Sequence, residues 1–65
     1  KMTLQYSTNK IDWSDCQNDE KAQFHSAVYR VLKPDGTLWL GTIFDDYDEA
    51  FRIVQRARRL TANRY

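Results

Sequence analysis

Cysteine and histidine are nearly absent from this chain, and long apolar runs are missing altogether. Cys16 is the only cysteine, so no disulfide can form within the chain and the stapled secreted scaffold is excluded. His25 is the only histidine, and one thiol with one imidazole falls short of the ligands a usual zinc site needs. No stretch approaches the roughly 20 apolar residues that span a bilayer. None has the basic start, apolar middle and small-residue cleavage site of a signal peptide. The expected setting is cytoplasmic, without membrane contact. No cofactor, no metal and no catalytic residue is expected.

What is present suffices for one small domain, residues 1–65. Of the 65 residues, 42% are hydrophobic and 14% aromatic, enough for a single core without metal or disulfide support. A domain of this size buries only about 60% of its unfolded surface, so that core is marginal. The net charge of +1 hides an uneven distribution. Residues 1–50 carry five basic and nine acidic groups, a net of −4. Residues 51–65 carry Arg52, Arg56, Arg58, Arg59 and Arg64 and no acid, a net of +5. A basic end of this kind suits an anionic partner.

The clearest element lies at that end. Asp45 and Asp46 can cap a helix start, because a short carboxylate accepts hydrogen bonds from orphan backbone N–H groups. Asp48 and Glu49 then fall in the first turn and the arginines toward the last, as the helix dipole favours. Ala50, Ile53, Val54, Ala57 and Leu60 recur at helical spacing, so a helix is predicted over 46–62. Tyr47 and Phe51 flank its apolar stripe, and Glu49, Arg52, Arg56, Arg59 and Asn63 fall opposite.

Upstream, Lys33-Pro34-Asp35-Gly36 is a turn sequence, followed by a strand over 37–44 rich in Trp, Leu, Ile, Thr and Phe. Residues 24–32 fit two periods. Ala27, Tyr29 and Val31 alternate as in a strand, whereas Phe24, Val28, Val31 and Leu32 fit a helix that Asn18 or Asp19 would cap. The turn favours the hairpin. Met2 to Thr8 reads as a further strand, and the polar segment from Ser7 to Glu20 as loop, with Ile11 and Trp13 turned inward. The expected fold class is α+β, a three-stranded antiparallel sheet packed against one C-terminal helix. Alternation from Leu38 and Leu40 as core residues leaves Trp39 on the outer side, beside Arg30.

Two segments resemble known families. Trp39-Leu40-Gly41-Thr42, Phe44-Asp45, Glu49-Ala50, Arg56-Ala57 and Leu60 resemble the last strand and helix of the AP2-type DNA-binding domain, over residues 36–60. Ile43 is one residue more than that pattern has. The family reads DNA from its first two strands with arginines and tryptophans, for which residues 2–32 offer Arg30. Separately, Tyr29-Arg30-Val31-Leu32-Lys33-Pro34-Asp35-Gly36-Thr37-Leu38 resembles a segment before a late strand of class I methyltransferases, which implies a helix over 19–32. The cofactor of that family needs a glycine-rich turn, and Gly36 and Gly41 lie in none.

The arginines carry the functional expectation. Arg52, Arg56 and Arg59 stand three and four residues apart, which places them on one helix face, and guanidinium forks suit phosphate. The chain is therefore read as a nucleic-acid-binding module. Arg52, Arg56, Arg58, Arg59 and Arg64 would meet phosphates, and Arg30, Lys33 and Trp39 would lie on the sheet. The alternative is a protein-interaction or regulatory module in which the sheet face, through Trp39 and Tyr29, packs on a partner or a second copy as a homodimer. A lone His25 has no orienting partner in the sequence, and Cys16 with His25 matches no nucleophile–base spacing. Asp45, Asp46, Asp48 and Glu49 lack the interleaving of a calcium loop.

Overall fold

The structure is a computed structural model that describes residues 1–62. Asn63, Arg64 and Tyr65 lie outside the described residues, and with them the predicted phosphate contact Arg64. Four antiparallel strands form one sheet in the order β2-β1-β3-β4: β1 (Thr3–Ser7), β2 (Ser14–Asp15), β3 (Val28–Leu32) and β4 (Leu38–Phe44). A single helix, α1 (Tyr47–Leu60), follows and packs on the sheet. The fold is α+β as expected, with one strand more than the sequence suggested. The added strand is the two-residue β2, which pairs Ser14 with Tyr6 and Asp15 with Gln5.

The hairpin at residues 33–37 forms as the turn residues dictate. The Gly36 N–H donates to the Lys33 carbonyl at 2.9 Å and the Lys33 N–H to the Thr37 carbonyl at 2.8 Å. Gly36 takes φ +90, open to glycine because it has no Cβ. The Asp35 carboxylate accepts from the Thr37 N–H (3.0 Å) and hydroxyl (2.7 Å), closing an Asx turn.

The strand over 24–32 is shorter than predicted. Residues 24–27 turn instead, with the Ala27 N–H on the Phe24 carbonyl. The β1–β3 ladder ends at Ser7 opposite Val28 and the β4 ladder at Phe44 opposite Tyr29, so residues before Val28 would find no strand on either side. The helix over 19–32 that the methyltransferase resemblance implies is not formed.

Simple alternation fails in β4. Leu38 pairs with Leu32 and Ile43 with Arg30, so four residues of β4 face the single Val31 of β3. The three extra residues make a bulge, in which Leu40 (φ +63) and Gly41 (φ +61) both take left-handed backbone. An odd insertion exchanges the two faces. Ahead of the bulge, Leu38 shares the outer face with its partner Leu32, so Trp39 packs, half-buried, against the core, while Leu40 is 64% exposed. This reverses the expected orientation of both residues.

The core lies between sheet and helix. Met2, Leu4, Tyr29, Val31 and Phe44 meet Ala50, Val54 and Ala57 of α1, all buried. Alanine at 50 and 57 lets the helix backbone lie close to the strands. The Asp46 carboxylate caps α1 by accepting from the Glu49 N–H at 2.9 Å. At the other end the stripe closes on Thr61, buried with its hydroxyl on the Ala57 carbonyl at 2.6 Å, and Leu60 is 62% exposed. Leu60 thus does not join the core as its spacing suggested. Ile11 does not either, at 78% exposed. Its loop is held by polar groups: the buried Ser7 hydroxyl accepts from the Asn9 and Lys10 N–H groups, and the Asn9 side chain accepts from those of Ile11 and Asp12.

Candidate nucleic-acid interface

Burial of Ala50, Val54 and Ala57 fixes the rotation of α1 and sends Arg52, Arg56 and Arg59 to the opposite side. All three are exposed. The ion pair between Arg58 and Asp19 is the only one among the described residues, so neither Asp48 nor Glu49 engages Arg52. Three unpaired guanidinium groups stand together on the outward face, and like charges at this spacing repel until an anion meets them. On the shoulder of that face Phe51, 37% exposed, lines a shallow groove with Arg52, Gln55 and Arg59.

Arg58 has a different task. It reaches back over the helix shoulder to Asp19, which follows Asn18 in a short turn where both take left-handed backbone (φ +58 and +53). Asn and Asp adopt that region more readily than most residues. One Arg58 Nη donates to Asp19 Oδ1 at 2.9 Å, the other bonds Oδ2, and Nε and Nη donate to the Met2 carbonyl at 3.2 and 3.0 Å. The Tyr47 hydroxyl also donates to the Asp19 carbonyl. Asp19 therefore ties the loop before β3 to α1, and Arg58 ties the start of β1 to it through the Met2 carbonyl. With four donors engaged inside the fold, Arg58 is not offered to a phosphate as the sequence suggested. Nothing in the spacing of Asp19 and Arg58 announces the pair, because they are 39 positions apart and meet only once the sheet has formed.

The hydrogen bond from Arg58 holds the Asp19 carboxyl below its ordinary value. A carboxyl lowered by folding stabilises the native state above its unfolded value of about 3.9, and that stability is lost as pH falls through the lowered value. Asp19→Asn is expected to cost about 1–2 kcal/mol at neutral pH, the worth of a charge-assisted hydrogen bond. The gap should close as pH falls below the unfolded value and through the lowered one. Urea melts of parent and variant across that range measure it, and a gap that does not depend on pH would remove the pair as its source.

The sheet residues of the predicted set do not join the ribbon. Arg30 lies on the sheet face turned away from α1, its guanidinium 4.3 Å from the Trp13 ring centroid and its Nε donating to Gln5 Oε1 at 2.9 Å. Gln5 in turn donates to Asp15 at 2.8 Å. Trp13 thus takes the place beside Arg30 that the sequence assigned to Trp39. Lys33 stands at the start of the β3–β4 turn.

The remaining reactive groups are set apart from the ribbon. Cys16 is buried, its N–H on the Leu4 carbonyl at 2.9 Å. Burial, with Asp19 and Asp15 nearby, pushes its thiol up to about 11, so it stays protonated at neutral pH. His25 lies exposed in the turn before β3. Among the described residues no three His, Cys, Asp or Glu side chains stand together as a metal site would require, and no helix is long and apolar enough to cross a membrane. Comparison with protein-family models, curated proteins and solved structures gives no match.

Proposed function

We propose that this chain is a nucleic-acid-binding module that grips backbone phosphates with the outward face of α1. The observation that carries the reading is that Arg52, Arg56 and Arg59 are exposed, with no ion-pair partner among the described residues, on one side of a helix whose other side is buried. Each guanidinium offers a planar fork to a phosphate. Arg58 supports the face without belonging to it, by anchoring α1 to Asp19 and Met2. The reading is one of binding rather than catalysis.

A titration with DNA over a salt series tests the proposal. Each phosphate neutralised releases condensed counterion, so the logarithm of the affinity should fall linearly with the logarithm of salt. Three arginine contacts predict a slope of about −2 to −3, depending on whether the strand is single or double. A slope near zero, or no binding at low salt, would end the reading.

A protein-interaction module is the second reading, and one observation favours it. Leu40 and Ile43, 64% and 42% exposed, stand on the outer edge strand β4. Trp39, the anchor expected for such a surface, instead packs on the core. A mass that rises with concentration in the absence of DNA would favour this reading, with a second copy as the partner.

A further inference from the structure

Among the described residues the arginine face carries one exposed aromatic side chain, Phe51. Phe51, Gln55 and Arg59 follow one another at four-residue intervals along the shoulder of α1, with Arg52 beside them in the same groove. The Phe51 ring is set against Tyr47, centroids 5.8 Å apart and planes tilted by 36°. Tyr47 is in turn fixed edge-on to Tyr29 and through its hydroxyl to Asp19. The ring is therefore supported from the core side, yet it stays 37% exposed among cationic and amide groups.

A phenyl ring has no donor or acceptor with which to read a base edge. Its favourable contact with nucleic acid is stacking on the face of a base. In a duplex those faces are occupied by neighbouring base pairs, whereas an unpaired base presents them freely. Phosphate-binding guanidinium groups around an aromatic platform are the combination that tracks a single strand. At 1.5 Å per residue, Arg52 and Arg59 stand about 10 Å apart along the helix, so the face spans a few nucleotides. Asp48 and Glu49 in the first turn repel a strand extending past the N-terminal end, which directs it over the Phe51–Arg59 half.

Resting on the reading above that this face binds phosphates, we infer that the ligand is single-stranded nucleic acid, with Phe51 stacking one base at the N-terminal end of the groove while Arg52 holds the adjacent phosphate and Arg59 one further along the strand. The discriminating experiment compares three polyanions at equal salt: an oligothymidylate of about ten nucleotides, a duplex of similar length, and polyphosphate, which has no bases. The parent should bind the oligothymidylate most tightly. Phe51→Leu, which keeps an apolar side chain against Tyr47 but removes the ring, should weaken the single strand roughly tenfold or more. Polyphosphate affinity, the salt slope and the melting temperature should stay unchanged, and Phe51→Trp should restore the preference. If the parent binds all three equally, or Phe51→Leu is silent on the oligothymidylate, the single-strand inference fails while the phosphate reading stands. If Phe51→Leu weakens all three alike, the ring acts only through the shape of the helix and the inference also fails. If the parent binds none, both fall.

Discussion

Val54→Asp is expected to leave the chain unfolded at room temperature. Val54 is fully buried at the middle of the face that α1 turns toward Leu4 and Val31. An aspartate there has no cation within the core, since the Arg58 guanidinium is already committed to Asp19 and the Met2 carbonyl. Burying an unpaired carboxylate costs several kcal/mol even after it protonates. At about 0.05–0.15 kcal/mol per residue, the whole stability of a domain this small is roughly 3–10 kcal/mol. Val54→Ala separates the two parts of that cost. Removing two methyl groups should destabilise by about 2 kcal/mol while leaving a cooperative transition. Far-UV circular dichroism with urea melts reads both variants, and a Val54→Asp protein that melts like the parent would show that α1 presents a different face to the sheet.

Elements specified locally were legible in the sequence. The Pro34-Asp35-Gly36 turn, the Asp46 cap and the Ala50–Val54–Ala57 stripe each follow from residues within a few positions of one another, and the structure forms all three. Features set by pairing across the chain were not legible. Leu38 pairs with Leu32, on the sheet face that Arg30 shares and opposite to Val31, so taking Leu38 and Leu40 as core residues puts Trp39 and Leu40 on the wrong sides. Leu40 is also a poor choice for left-handed backbone, so composition gave no hint of it; Gly41 beside it was the one available signal. The inward placement of Ile11 failed because the side chains of Ser7 and Asn9 satisfy its loop without an apolar anchor. Leu60 lies three residues beyond Ala57 and fits the stripe by spacing, but Thr61 lies four beyond and closer to its centre. The same division holds for the candidate site. The ribbon of Arg52, Arg56 and Arg59 was visible because helical spacing is local. The diversion of Arg58 to Asp19 was not, since it requires the sheet to bring residues 2, 19 and 58 together.

The measurement that bears most directly on the arginine face is the salt slope of DNA binding in Arg56→Ala/Arg59→Ala against the parent. Both side chains are exposed and have no ion-pair partner among the described residues, so the double variant should melt within about 0.5 kcal/mol of the parent. Loss of two phosphate contacts should weaken binding similarly on every sequence and flatten the slope by about two units. At low salt, where counterion release is most favourable, the fall in affinity should be greatest. An unchanged slope and affinity, in a variant that folds like the parent, would contradict the assignment.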